Sequence, residues 1–133
     1  MSFTTRSKVR FAHVDAAGIV FYPRYFEMLN GAVEDWFAEG LGVDFAELHL
    51  TRGLGVPTVS LDSRFAAPSR LGDELDITIE VKSVGRSSCA VAYTVACGDE
   101  VRMTAEGVLV CMILAEGRST PWPDDVRDGL AKT

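Results

Sequence analysis

One long helical stripe constrains this fold more than any other feature of the chain. From Pro23 onward, Phe26, Leu29, Val33, Trp36 and Phe37 recur at steps of three and four residues, the spacing of a single helix face. Glu27, Glu34, Asp35 and Glu39 fall off that stripe. Pro23 suits the first helical position, where its missing N–H does no harm, and Gly40 and Gly42 read as the helix end. A short helical turn is expected around Asp44–Leu48.

Most of the remaining chain has the period of strands. Val9, Phe11 and His13 share one face of a strand over residues 3–13, with Lys8 and Arg10 on the other. Val59, Leu61, Ser63 and Phe65 alternate after Gly53 and Gly55. The clearest strand follows, Leu75, Ile77, Ile79 and Val81 against Asp76, Thr78, Glu80 and Lys82. Gly85-Arg86-Ser87 turns into a strand over Cys89–Cys97, and Gly98-Asp99-Glu100 reads as a hairpin. Val101 to Leu114 becomes apolar on both faces towards its end, as a strand covered on both sides does. The tail with Pro121, Trp122 and Pro123 reads as irregular or as a closing turn. The order is strand, long helix, then four strands in an antiparallel meander. A lone helix with a broad apolar stripe must be covered by the one sheet available. The expected class is therefore α+β, a curved antiparallel sheet wrapped around one central helix. Such a sheet keeps a free edge, and edge pairing into a dimer is the expected remedy.

Bulk properties narrow the function. The 133 residues make a single domain, 1–133, and 47% hydrophobic content supplies one core. The net charge of −6 comes with no basic block, which argues against nucleic acid and membrane surfaces as partners. The longest apolar run, VLVCMILA, falls well short of the roughly 18–20 residues of a membrane span. The N-terminus alternates and lacks a signal-peptide core, so a cytoplasmic location is expected. Cys89, Cys97 and Cys111 are odd in number and form no C-x-x-C, so they read as buried free thiols. His13 and His49 are the only histidines, too few and too scattered for a metal site, and neither a metal nor a cofactor is expected. His49 lies in a polar segment and reads as a surface residue, while Trp36 and Phe37 read as helix core.

The chemistry lies in His13-Val14-Asp15-Ala16-Ala17-Gly18-Ile19-Val20-Phe21-Tyr22-Pro23. A lone carboxylate precedes three small residues, an apolar run and a helix start. Alone, an Asp in a loop is usually a capping residue. Its surroundings change the reading, because a helix N-terminus presents unpaired N–H groups and partial positive charge, suited to a developing oxyanion. Gly18 lets the loop approach a ligand closely. Pro23 has no N–H, so the donor nearest the helix start is that of Tyr22 or a neighbour.

The run Asp15 to Pro23, followed by Tyr25, resembles the signature of hotdog-fold acyl-CoA thioesterases of the 4-hydroxybenzoyl-CoA thioesterase type. Arg52-Gly53, Val56-Pro57 through Ser60 and the strand order extend the likeness over nearly the whole chain. The resemblance implies a hotdog fold and a homotetramer built as a dimer of dimers. It implies hydrolysis of an aromatic or short acyl-CoA to the free acid and CoA, with Asp15 as nucleophile or general base and the Tyr22 N–H polarising the thioester carbonyl. It places Gly18, Asn30, Val56 and Ser60 at the acyl group, and Arg86 and Ser87 at the CoA phosphates. Two positions depart from the 4-hydroxybenzoyl pattern: His13 stands where those relatives often carry an acid, and Asn30 replaces an Asp that meets the ring hydroxyl. The rival readings are a thioesterase for acyl groups on carrier protein, a non-catalytic acyl-CoA sensor and a hydratase. The acidic chain disfavours an acidic carrier, the chain has no spare length for a sensor's DNA-binding module, and the Asp-loop-helix motif is not the hydratase's.

Overall fold

The computed structural model describes residues 2–133. Strand β1 (Phe3–Lys8) leads through a one-turn 3-10 helix, Phe11–His13, to the loop that carries Asp15. The long helix α1 (Pro23–Asp35) then runs on into a π-helical turn, Trp36–Leu41. Five further strands complete the two sheets' main connections: β2 (Leu54–Gly55), β3 (Thr58–Phe65), β4 (Glu74–Val84), β5 (Ser88–Cys97) and β6 (Glu100–Val110). The short β7 (Met112–Ile113) and β8 (Arg118–Ser119) follow, and helix α2 (Asp124–Ala131) ends the chain.

The main sheet is antiparallel with order β1-β4-β5-β6-β3. Its inner face is the alternating set Leu75, Ile77, Ile79, Val91, Val95 and Met103, each at most 1% exposed. Against it lies the buried face of α1: Tyr25, Met28, Leu29, Ala32 and Val33, continued by Trp36 and Phe37. Each large side chain so buried contributes roughly 1.5–3 kcal/mol of transfer free energy. The expected sheet wrapped on one central helix is the observed hotdog fold.

Several local expectations differ. The first strand stops at Lys8, because the Arg10 N–H donates to His13 Nδ1 at 2.8 Å and the His13 N–H to the Arg10 carbonyl, closing a tight turn. Phe11 is thereby thrown outward at 82% exposure while Val9 is buried. Only β4, β5 and β6 form a meander; β3 crosses to the far edge and pairs with β6. Gly42, at φ 75°, ends the helical run, whereas Gly40 lies within its last turn, where a Cβ would come within 2.8 Å of Trp36 Cδ1. The apolar stretch after β6 breaks at Cys111, and its continuation joins a second small sheet, β2-β7-β8. The tail is a helix whose Val126 and Leu130 are buried, with Trp122 buried just ahead of it. Cys89 and Cys111 are buried free thiols, but Cys97 is only half-buried. No helix among the described residues is long and apolar enough to cross a membrane.

Candidate active site

The Asp15 loop is a tight turn built by its own sequence. The Asp15 N–H donates to the Ile19 carbonyl, and the Gly18 N–H donates back to the Asp15 carbonyl at 2.9 Å. Gly18 takes φ 78°, which an L side chain rarely adopts. Asp15 Oδ1 accepts the Ala17 N–H at 2.9 Å, so one carboxylate oxygen performs the expected capping role. Oδ2 has no partner among the described residues, and the side chain is exposed.

The start of α1 lies directly after this turn. The Phe21 N–H donates to the His13 carbonyl, that of Arg24 to the Phe21 carbonyl and that of Tyr25 to the Tyr22 carbonyl. Pro23 has none to give. The Tyr22 N–H is therefore the donor left over at the helix start, with no acceptor among the described residues. Its backbone is already helical, at φ −54°. His13 keeps its Nδ1 on the Arg10 N–H and so helps shape the turn before Asp15.

A second loop supports the first from behind. The Val20 N–H donates to the Ser69 carbonyl at 2.8 Å, and Ile19 bridges Arg70. Ser69 is fully buried, and its Oγ accepts the Tyr25 hydroxyl at 2.9 Å. Asp73 accepts both the Arg70 N–H, at 2.9 Å, and Arg102 Nη1, at 2.8 Å. The Arg70 N–H first, and the Arg102 guanidinium second, hold the Asp73 carboxyl below the usual carboxylate range. Ser69, Asp73 and Arg102 are supports that the sequence alone does not reveal. The serine could have been sought as the partner of a Tyr that precedes buried helix positions.

Two of the openings along α1 bear on the site. A small apolar groove of about 280 Å³ lies at the helix start, lined by Ile19, Tyr22, Tyr25, Phe65 and Pro68. A larger groove of about 790 Å³ lies further along, where Asn30, Val56, Phe45, His49 and Met112 meet. The structure thus brings Asp15, Gly18 and Tyr22 together at one end of α1, and Asn30 and Val56 at the second opening. His49 is not a plain surface residue: it is half-buried in this groove, its ring packed against Phe45 with centroids 4.8 Å apart and planes tilted 52°. Ser60 joins neither opening. It is exposed on β3, in a groove on the outer sheet face with Asp62, Lys82 and Glu106.

Arg86 and Ser87 occupy the β4–β5 turn. The Arg86 side chain is exposed and makes no ion pair among the described residues. The C-terminal segment clasps this turn: the Trp122 N–H donates to the Arg86 carbonyl, Arg127 Nη1 to the Gly85 carbonyl and the Cys111 N–H to the Ser87 carbonyl. Among the described residues, no group of three or more His, Cys, Asp or Glu is placed to hold a metal ion.

Residues 9–130 match the thioesterase-like superfamily, and the chain belongs to that family. It is 34% identical to a 1,4-dihydroxy-2-naphthoyl-CoA hydrolase of Thermosynechococcus vestitus over 118 residues, covering 87% of this chain and 80% of that one. It is 28% identical to a 4-hydroxybenzoyl-CoA thioesterase of Pseudomonas sp. over 71% of this chain and 68% of that one. The crystal structure of a 1,4-dihydroxy-2-naphthoyl-CoA thioesterase from Synechocystis superposes with a TM-score of 0.86 at 22% identity, covering 98% of this chain and 96% of that one, which shows the shared fold.

Proposed function

We propose that this protein hydrolyses an aromatic acyl-CoA to the free acid and CoA. The observation that carries this reading is the unpaired Tyr22 N–H at the start of α1, immediately after the turn that holds the Asp15 carboxylate. A thioester carbonyl oxygen seated on that N–H gains a donor and the helix dipole as negative charge develops on it. Asp15 Oδ2 then either attacks the carbonyl carbon, expelling CoA thiolate and leaving an anhydride for water to cleave, or takes a proton from the attacking water.

The acyl group would run along α1 from Tyr22 towards Asn30. Eight residues span about 12 Å of helix rise. Helical side chains lean towards the N-terminus, which brings the Asn30 amide roughly one turn nearer. The remaining gap suits one ring or two fused rings, and a groove of 790 Å³ falls in the usual range for ligand sites. The 1,4-dihydroxy-2-naphthoyl-CoA hydrolase of T. vestitus, more alike in sequence than the 4-hydroxybenzoyl-CoA enzyme, supports the two-ring group. Gly18 gives the ligand room, and Asn30 and Val56 contact the ring. Ser60 would reach the acyl group only across a subunit boundary. Arg86 and Ser87 would meet the CoA phosphates.

The assembly we propose is a dimer paired through β3, doubled into a tetramer. β3 is one of the two edge strands, and Val59, Leu61 and Phe65 on it are 61%, 39% and 49% exposed, which a second copy would cover. The three unpaired cysteines fit a reducing, cytoplasmic setting.

The test is thiol release from a panel of benzoyl-, hydroxybenzoyl-, naphthoyl-, phenylacetyl- and straight-chain acyl-CoA, with wild type and Asp15→Asn side by side. Fast release from the aromatic members, reduced at least about a thousandfold in the variant, is expected. No release from any member refutes the reading. Label from heavy-oxygen water appearing in Asp15 after one turnover would select the nucleophilic route.

A further inference from the structure

The larger groove contains one polar side chain whose hydrogen-bonding sense the fold fixes. His49 Nδ1 lies 2.9 Å from the Phe45 carbonyl oxygen. A carbonyl can only accept, so Nδ1 carries the proton, and in the neutral ring Nε2 is left as a lone-pair acceptor. Phe45 packs against the ring, with centroids 4.8 Å apart and planes tilted 52°, which restricts its freedom to reverse. Gly55 and Leu114 form the adjacent wall: a Cβ at Gly55 would meet Leu114 Cδ2 at 2.7 Å and lie 3.7 Å from Nε2, which places that nitrogen on the lining of the groove.

The rest of the lining has the same bias. Among the lining side chains, Glu34 and Glu27, the latter paired with Arg24 Nη1 at 2.8 Å, accept and do not donate, whereas Asn30 and Thr58 can donate. A groove rich in acceptors and negative charge favours a neutral ligand group that donates a proton, and disfavours a carboxylated acyl chain.

We infer that His49 determines specificity: its Nε2 accepts a hydrogen bond from a hydroxyl on the aromatic acyl group, selecting hydroxylated aroyl-CoA over the unsubstituted ring. This deepens the proposed function and rests on it. His49 does not touch the reacting carbonyl; it sets which ring is held.

The experiment compares 4-hydroxybenzoyl-CoA with benzoyl-CoA, and 6-hydroxy-2-naphthoyl-CoA with 2-naphthoyl-CoA, in wild type, His49→Phe and His49→Gln. Wild type should prefer one of the hydroxylated partners by about tenfold in kcat/KM, carried by KM, the scale of one hydrogen bond. His49→Phe, which keeps an aromatic ring beside Phe45 but no acceptor, should lose that preference. His49→Gln, which keeps an acceptor, should retain most of it. A preference unchanged in His49→Phe overturns the inference. Failure to hydrolyse any thioester would sink the proposed function alone. The nitrogen resonances of the His49 ring then decide the inference, titrated with 6-hydroxy-2-naphthoate and with 2-naphthoate. A change at Nε2 with the hydroxylated acid only supports it, and no change with either acid overturns it.

Discussion

The Tyr25–Ser69 hydrogen bond gives the sharpest test of how the active loop is held. Tyr25 is 4% exposed and Ser69 0%, so neither hydroxyl can turn to water when its partner is removed. Tyr25→Phe leaves Ser69 Oγ buried without its donor, a loss of about 1–3 kcal/mol. Ser69→Ala strands the Tyr25 hydroxyl at a similar loss. Removing both leaves nothing unsatisfied and forfeits only the net worth of the bond, about 1 kcal/mol beyond the small packing change. The double variant should therefore lose about 1 kcal/mol rather than 4, and each single variant about 2. An unfolding entropy near 2.1 cal/mol/K per residue comes to roughly 280 cal/mol/K for 133 residues, so each single-variant loss lowers Tm by about 7 °C. Urea and thermal unfolding at one fixed protein concentration measure this, because the Tm of an oligomer depends on concentration. Additive losses, or a Tyr25→Phe variant melting within 1 °C of wild type, would refute the reasoning.

Other outcomes follow from the same geometry. Tyr22→Pro removes the helix-start N–H at a residue whose φ of −54° a proline ring can adopt, so kcat should fall about 100- to 1000-fold while Tyr22→Ala falls far less; equal losses in steady-state assays would contradict the N–H role. Asp73 has its folded-state pKa lowered by the Arg70 N–H and Arg102, so the unfolded chain binds that proton more readily. Its contribution is complete above about pH 4 and drains as pH falls below it. The gap in urea midpoint between wild type and Asp73→Asn should accordingly be wide at pH 6 and narrower at pH 3, and a gap independent of pH would count against the hydrogen bonds of Asp73 to the Arg70 N–H and Arg102.

What was legible in the sequence was what local periodicity encodes. The stripe Phe26, Leu29, Val33, Trp36 and Phe37 had to face the core, and all of it is buried except Phe26, which is half-buried. The alternation of Leu75, Ile77 and Ile79 had to form one face of a sheet, and it does. Strand order was not legible, because β3 is exposed on nearly all its residues and its partner β6 is fixed only by long-range register. Helix α2 escaped because Asp124, Asp125, Asp128 and Gly129 mask a stripe of only Val126 and Leu130. The Asp15 turn was visible as a motif, whereas its supports Ser69 and Arg102 sit in segments with no motif of their own. His49 escaped because the segment around it, with Glu47, Thr51 and Arg52, looks solvent-facing, whereas in space the ring lies with Phe45, Gly55 and Leu114.

The sheet order also sets a timetable. β4, β5 and β6 are joined by short turns, so their pairing closes small loops. β3 instead matches Thr58 with Leu109, and β1 matches Phe3 with Ile79, across long stretches of chain. Those outer pairings carry the larger closure entropy and are expected to form late in folding. The Asp15 turn hangs between β1 and the segment that links β3 to β4, so it is completed only when both outer strands have docked. Native-state hydrogen exchange should record this as amides of β3 and of the Asp15 turn opening at lower free energy than those of β5, and uniform protection across the sheet would contradict it.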